Sequence, residues 1–327
     1  MEYGTYIGIY RMIQFPITYT NGNSTVTIHE DGTKIRDYDG STLLCDYPES
    51  CDLKITNYCD LGDKYDDYGN LISKSKTCPY CHEMSHNKGQ HADLHKIVKL
   101  WKDAPKGTEL AIGGGNPLAH PDLEWFLTEM KSIGVLCNIT VNILHLNSSS
   151  QYIKYLQDHQ LIHGLGISYR GKNLVLPDNI DYKNAVFHLI LGVHTFNDCM
   201  AVMQWSRNKG VPTKILLLGY KQYGNGSKYY SDFIGKQLDK WKKDIVKLML
   251  YDKIVLSFDN LALDQLEMQN KLSSNAWDKF YMGRDGVATF YCDAIEERFS
   301  LSSTCSIKHP LESLKDMFTT VKGMKNA

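Results

Sequence analysis

The sequence lacks any apolar run of the roughly 18 residues that a membrane-spanning helix requires. It also lacks an excess of basic residues: the formal net charge is −1, which argues against general binding of nucleic acid. The first 20 residues have neither the basic start nor the unbroken apolar segment of a secretory signal. From these absences we expect a cytoplasmic protein with no membrane partner and no general nucleic-acid partner.

Nine cysteines occur among the 327 residues, an odd number that does not suit a scaffold of paired disulfides. In a chain without an export signal they are expected to be reduced thiols. Hydrophobic residues make up 43% of the sequence and charged residues 22%, so we expect a substantial core and no global disorder. The length fits one large α/β domain with additions.

Short apolar runs alternate with amphipathic segments over most of the chain. The runs predicted as strands are 53–58, 109–114, 135–142, 163–168, 186–193, 214–220 and 253–259. The segments predicted as helices include 91–104, 121–134, 150–160, 198–210 and 230–248. Such alternation is typical of parallel βαβ units, which bind ligands at the carboxyl ends of their strands. Seven strands favour a full or partial barrel over a long open sheet.

The two ends of the chain have a different character. Residues 1–50 are β-rich, and the alternating sequence around Asp31 and Gly32 predicts a hairpin. From about residue 275 the sequence again has a pattern typical of β-strands. We therefore expect an N-terminal β extension and a C-terminal β cap.

Three cysteines lie where the first predicted strand ends. Cys59 follows that strand, and Cys78 and Cys81 form a C-x-x-C motif after an 18-residue gap. One hypothesis is a zinc site, for which the histidines that follow the motif would supply further ligands: His82, His86, His91 and His95. The other is an iron–sulfur cluster held by three thiolates. A third interpretation makes Cys59 a buried residue at the end of the strand that is unrelated to the pair. The C-x-x-C motif alone would favour zinc.

A glycine-rich turn follows the second predicted strand. Gly113, Gly114 and Gly115 stand where that strand meets its loop, a position at which backbone groups can approach a ligand closely. The turn is expected at the same edge of the sheet as the cysteines.

These segments resemble the radical S-adenosylmethionine (SAM) enzymes, whose signature is C-x-x-x-C-x-x-C after the first strand. The similar segments are "DLKITNYCDLG", "CPYCHE", "GGGNPLAHPDL" and "NITVN", within residues 50–260. The usual spacing would place a cysteine at position 63, where this chain has Asp63. We interpret residues 60–77 as an excursion between two ligands of one cluster, because loop closure costs little more as a loop lengthens.

The resemblance implies a fold and an activity. The fold is an α/β, partial (β/α)6-type barrel over residues 51–260, with the N-terminal β extension over 1–50 and a C-terminal helix and β cap over 261–327. The activity uses a [4Fe–4S] cluster to cleave SAM reductively and abstract a hydrogen atom from a substrate. The substrate could be a small molecule, a nucleotide-derived metabolite or a peptide, and the electron donor a protein such as flavodoxin or ferredoxin. The alternative is a non-catalytic zinc-binding interaction protein.

The resemblance also assigns residues. The cluster ligands are Cys59, Cys78 and Cys81. The positions that match SAM-binding segments are Gly113, Gly114, Gly115, Asn116, Asn142, Ser168, Arg170, Gly192 and Gly219. Asn116 replaces a glutamate that is common in the family, and Arg170 could pair with the SAM carboxylate.

Candidates on the substrate side come from later strands. Asp259 follows the last predicted strand and could touch substrate, and Cys292 is either a packed thiol or a hydrogen-atom donor. His188 and His194 flank the end of the fifth strand and are interpreted as core or rim histidines. The tail offers only Cys292 and Cys305, so a single cluster is expected. The polar and aromatic segment 60–77 suits either a mobile lid or a plain surface loop.

Overall fold

A computed structural model describes residues 13–38, 42–65, 71–171 and 174–324 of the chain. Part of the proposed lid, Asp66, Asp67, Tyr68 and Gly69, lies outside these described residues. No helix in the described ranges combines the length and the apolar character needed to cross a bilayer.

The strands and helices alternate through the middle of the chain. The strands are β1 (Ile17–Asn21), β2 (Ser24–Ile28), β3 (Lys34–Tyr38), β4 (Ser50–Thr56), β5 (Lys64–Tyr65), β6 (Leu71–Ser73), β7 (Glu109–Gly114), β8 (Leu136–Asn142), β9 (Gly164–Ser168), β10 (Ala185–Ile190), β11 (Thr213–Leu218), β12 (Ile254–Phe258), β13 (Thr289–Asp293), β14 (Arg298–Ser300) and β15 (His309–Pro310). The helices are α1 (Leu94–Trp101), α2 (Leu123–Ile133), α3 (Ile143–Ser148), α4 (Ser150–Asp158), α5 (Phe196–Lys209), α6 (Asn225–Tyr229), α7 (Asp232–Met249), α8 (Asn260–Leu266), α9 (Ser274–Phe280) and α10 (Leu314–Met324), with 3-10 turns at Pro117–Ala119 and Met268–Asn270.

One large sheet organises the molecule, with strand order β12-β11-β10-β9-β8-β7-β4-β13-β14-β15. The pairs from β12 to β13 are parallel, and β14 and β15 add in antiparallel fashion. Each predicted strand and helix of the central region is present, so the α/β class with a parallel sheet is confirmed. The described part of the β9–β10 connection, residues 169–171 and 174–184, contains no helix.

The two faces of the sheet differ in polarity. In β4, Cys51 and Leu53 are buried in the main core beneath the helices, whereas the alternate residues Asp52 and Lys54 point to the other face, which we call the inner face. The same alternation places His188 of β10 on the inner face beside Gly166 of β9. The inner face is therefore the polar one, as expected of a sheet whose concave side receives ligands.

The sheet is strongly curved. Five strands separate β4 from β12, which in a flat sheet would put them about 29 Å apart at the usual strand spacing. Nevertheless, Asp259 after β12 lies close enough to Asp52 of β4 to act on its ionisation. The inner face therefore lines a hollow, like the inside of an incomplete barrel.

The N-terminal sheet β1-β2-β3 covers the end of this hollow at which the parallel strands begin. Val26 and Ile28 of β2 are fully buried against Leu136, the first residue of β8. Polar contacts join the same surface to the starts of other strands: Arg36 to Glu49, Lys34 to Glu109, the Lys214 ammonium to the Asp31 carbonyl and the Asn184 amide to the Glu30 carbonyl. The hairpin expected at Asp31 and Gly32 is confirmed as β2–β3.

The C-terminal strands do not form a separate cap over the site, which corrects our expectation. β13 pairs in parallel with β4, from Thr289 opposite Ser50 to Asp293 opposite Lys54, and extends the main sheet. Four of its five residues are buried, because helices cover one face and the hollow lies on the other. The sequence did not reveal this pairing, because the residues of one strand do not specify which strand lies beside it.

Candidate functional site

Cys59 is held between the ends of two neighbouring strands. Cys59 lies three residues after the end of β4, and its N–H donates to the His86 carbonyl at 2.9 Å. The turn after β7 grips the same segment: Gly115 N donates to the Thr56 carbonyl at 2.8 Å and Asn116 N to the Tyr58 carbonyl at 2.6 Å. The glycine turn thus fixes the backbone that carries the first thiol.

The three glycines of the turn have different surroundings. A Cβ atom on Gly114 would lie 2.1 Å from the Thr56 carbonyl oxygen, and one on Gly115 would lie 2.0 Å from that of Tyr58. Gly114 also has φ +114°, which favours glycine. A Cβ on Gly113 would meet nothing within 4 Å. Gly114 and Gly115 are therefore required by close backbone packing, while Gly113 leaves open space at the edge of the sheet.

Cys78 and Cys81 share one tight turn, in which Cys81 N donates to the Cys78 carbonyl at 3.1 Å. The Asn142 amide at the end of β8 donates to Cys78 Sγ at 3.4 Å. Burial raises the pKa of Cys59 to about 11, and the nearby Asp60, Cys78 and Cys81 add to that rise. The three thiols predicted as ligands therefore converge at the carboxyl edge of the sheet.

The two ends of the 18-residue segment between Cys59 and Cys78 are hydrogen-bonded to each other. Lys76 N donates to the Leu61 carbonyl at 2.6 Å, and Asp63 Oδ1 accepts from Ser75 N at 2.5 Å. The Arg170 guanidinium donates to the Lys76 carbonyl and so joins the end of the gap to the segment after β9. The carboxylate at position 63 thus stabilises the return of the chain to Cys78.

The histidines after the C-x-x-C motif are engaged elsewhere. His82 contacts Glu83 at 3.0 Å, His91 contacts the Thr56 hydroxyl at 3.0 Å, and the His95 ring lies 3.9 Å from that of Trp125. His86 accepts from Lys88 N at 3.2 Å. The zinc alternative is therefore not favoured by the described residues.

Several positions assigned to SAM have structural partners. Asn142 Oδ1 caps α3 by accepting from Leu144 N at 2.9 Å, and the Asn116 amide donates to Asp60 at 2.9 Å. Gly192 packs against Ile234 of α7, and Gly219 packs against Leu261 of α8. Both glycines are buried against these helices.

Ser168 lies at the end of β9, in register between Asn142 of β8 and His188 of β10. It is partly exposed on the inner face. Ser168 therefore keeps side-chain surface open to the hollow.

The two candidates from the late strands occupy structural positions. Asp259 caps α8 by accepting from Ala262 N at 2.7 Å, and it also accepts from Gly219 N at 2.9 Å. Cys292 is fully buried in the main core and pairs in register with Leu53, on the helix-covered face. A hydrogen donor would need to face the hollow, so the packed-thiol interpretation of Cys292 is the one that its position supports.

An ionic network on the inner face was missed by sequence reasoning. Lys54 of β4 contacts Glu83 at 2.8 Å and Asp293 of β13 at 3.1 Å. Asp52 is reached by solvent, yet the protein around it desolvates the carboxylate and raises its pKa to about 6, with Asp285 and Asp259 adding to the rise. Isolated charged residues in a strand carry no sequence signal for such a network, since its members come from distant segments.

A second missed feature lies beside the first cysteine. His145 of α3 is 2% exposed, and a ring nitrogen, an Asp60 oxygen and Cys59 Sγ all lie within 4.8 Å of one another. Its Nε2 is 2.8 Å from Asp60 Oδ1. Nothing in the sequence pairs these two segments.

The residues present fit an iron–sulfur cluster. The three thiols converge, and the histidines that follow the C-x-x-C motif contact other residues, which matches the donor set of a site-differentiated cluster. Fold and site together define a parallel α/β protein with a three-cysteine centre at the carboxyl edge of its sheet.

Comparison with solved structures finds this fold in SuiB from Streptococcus suis, a radical SAM peptide-modifying enzyme. SuiB bound to the precursor peptide SuiA is 13% identical, over 87% of this chain and 68% of SuiB, with a TM-score of 0.57. SuiB bound to SAM is 11% identical, over 87% and 69%, with a TM-score of 0.55. A further SuiB structure is 12% identical, over 96% and 90%, with a TM-score of 0.58. This confirms the resemblance at the level of the fold. No family model and no curated protein sequence matches the chain.

Proposed function

We propose that this protein is a radical SAM enzyme whose [4Fe–4S] cluster is held by Cys59, Cys78 and Cys81. The observation that carries the proposal is the convergence of these thiols at the carboxyl edge of a curved parallel sheet, despite the long gap between the first two. The SuiB fold supports the same assignment.

The residues of the chain would position the cofactors. When bound, the cluster and SAM supply a reductive cleavage that yields a hydrogen-abstracting radical. The glycine turn holds Cys59, and Asn142 donates to the sulfur of Cys78. The backbone of Gly113 is open to receive the methionine amino group of SAM, as the resemblance implies.

For the substrate we propose a peptide. SuiB is seen with the precursor peptide SuiA, and the present chain covers most of SuiB. A polar hollow lined by Asp52, Lys54 and His188 offers hydrogen-bonding groups to such a substrate. A small flavodoxin or ferredoxin is the proposed electron donor, and the cytoplasm the proposed compartment.

Anaerobic reconstitution with iron and sulfide tests the proposal. We expect about four irons and four sulfides per chain with a brown charge-transfer band, and methionine and 5′-deoxyadenosine after addition of SAM and dithionite. One zinc per chain without sulfide would instead support the interaction protein. Cys78→Ala is the negative control, because it removes one of the three thiolates.

A further inference from the structure

The buried imidazole of His145 has no properly directed partner. The side chain is 2% exposed in α3, and neither ring nitrogen makes a hydrogen bond of acceptable geometry within the described residues. Its Nε2 approaches Asp60 Oδ1 to 2.8 Å, but this contact lacks hydrogen-bond direction. Leaving a buried polar group unsatisfied costs about 1–3 kcal/mol, so a buried imidazole without a partner suggests that one is supplied when the site is loaded.

The position of the ring identifies that partner. A His145 nitrogen lies within 4.8 Å of Cys59 Sγ, the first of the three converging thiols. The Asp60 carboxylate, which lies beside both groups, is anchored, because its Oδ1 accepts from the Asn116 amide at 2.9 Å and the Asn116 N–H donates to the Tyr58 carbonyl. The ring therefore lies next to a fixed carboxylate and next to the sulfur of Cys59.

We propose that His145 is a positioning residue of the cluster, donating a ring N–H to the sulfur of Cys59 or to an adjacent cluster sulfide, with Asp60 fixing the ring orientation. This inference rests on the proposed function. Hydrogen bonds to cluster sulfurs stabilise the more negative, reduced state, and they are one of the factors that set the potential of a cluster. His145 therefore raises the reduction potential of the cluster and makes it easier to reduce.

The test is a redox titration of the reconstituted cluster, followed by electron paramagnetic resonance without SAM or substrate. His145→Leu removes the donor and is expected to shift the midpoint potential to a more negative value at unchanged iron and sulfide content. His145→Gln keeps an N–H donor and is expected to recover part of the shift.

The matched control is His120→Gln. His120 is also buried, but both of its ring nitrogens have partners: Nε2 contacts the Ala92 carbonyl at 3.0 Å and Nδ1 accepts from Asp122 N at 3.1 Å. Its replacement is expected to leave the midpoint potential unchanged. A midpoint in His145→Leu equal to that of the parent, at full cluster content, overturns the inference.

A second measurement covers the case in which His145→Leu fails to fold or to hold a cluster. Pulsed electron paramagnetic resonance on parent protein labelled with ¹⁵N-histidine is expected to show a weakly coupled histidine nitrogen that His145→Gln lacks. A reduced cluster with no such coupling overturns the inference and leaves the proposed function standing. A parent protein that binds no cluster overturns both.

Discussion

Asp63 stands four residues after Cys59, at the place where the resemblance puts a cysteine. Its carboxylate accepts from Ser75 N, and its carbonyl accepts from the Asn87 amide at 2.5 Å. At the scale of single residues, the position at which the usual motif has a cysteine thus stabilises the loop that leads to Cys78.

Separate replacements of Asp63 and Cys78 distinguish these two roles. Cys78→Ala is expected to abolish cluster binding, because a cluster with one open iron needs all three thiolates. Asp63→Asn is expected to keep the full iron content, since the amide oxygen can still accept from Ser75. Iron and sulfide assays after anaerobic reconstitution compare the two. Loss of iron in Asp63→Asn equal to that in Cys78→Ala would mean that position 63 contributes to metal binding directly.

The glycine turn gives a second residue-scale prediction. Gly115→Ala is expected to lower the free energy of unfolding by about 2 kcal/mol, because the added Cβ overlaps the Tyr58 carbonyl and displaces the Cys59 segment. Gly113→Ala is the control, since its Cβ would point into open space. Chemical denaturation of the cluster-free proteins measures both. Equal stability of the two variants would contradict the close packing.

Which residue contacts could be predicted depends on sequence distance. The cysteines and the glycine turn stand in short motifs, so the resemblance places them correctly at one edge of the sheet. The contact between Asp60 and His145 joins the segments after β4 and β8, and no local pattern encodes it. Gly192, Gly219 and Asp259 have packing or capping contacts that the sequence did not reveal, because helix packing and capping use the same residue types at strand ends as ligand binding does.

At the scale of elements, His194 joins β10 to α5. Its Nδ1 accepts from Ile190 N at 2.8 Å, and its carbonyl accepts from the indole N–H of Trp241 in α7. It is a satisfied core histidine, as the sequence suggested. Burial lowers the pKa of His194 to about 4 from its usual 6.5, although Asp198 partly opposes the shift.

This pKa predicts a pH dependence of stability. Below pH 6.5 His194 is protonated in the unfolded chain, whereas in the folded chain it stays neutral until about pH 4. The free energy of unfolding therefore falls as the pH is lowered through this window. His194→Leu is expected to reduce stability at pH 7 by about 2 kcal/mol, because the Ile190 N–H loses its acceptor. The variant is also expected to lose less stability than the parent between pH 7 and pH 5. Urea denaturation at these two pH values measures both effects, and an identical pH slope would contradict the assignment.

The elements themselves were largely predictable. Apolar runs in the central region coincide with β4 and β7 to β12, and alternate residues of these strands are buried beneath the helices. The partner of β13 could not be predicted, because strand order depends on tertiary packing and not on composition. The β9–β10 connection also escaped prediction, since helical and irregular crossovers of this length look alike in a single sequence.

At the scale of the whole molecule, the N-terminal sheet contributes to the stability of the barrel-like core. Ile28→Asp is expected to destabilise the protein by about 3 kcal/mol or more, because it buries a carboxylate against Leu136. Ile35→Asp in the same sheet is the control, since Ile35 is 53% exposed while Ile28 is 0% exposed. Thermal unfolding distinguishes them. Equal unfolding temperatures would show that the sheet packs only loosely.

The number of clusters is also a property of the whole chain. The double variant Cys292→Ser, Cys305→Ser is expected to keep all the iron of the parent, because Cys292 lies in the core on the helix-covered face. Iron analysis on parent and variant prepared side by side measures this. A loss of about half the iron would indicate a second cluster, which usually takes three or four thiolates.

The sheet β1-β2-β3 has a kinetic consequence. Because it covers the end of the hollow where the strands begin, ligands are expected to enter from the carboxyl edge, where the three cysteines converge. In the proposed enzyme, a long substrate seated at that edge would hold the fragments of cleaved SAM behind it until it departs. We therefore expect ordered turnover, in which SAM binds before the substrate and its fragments leave after the product.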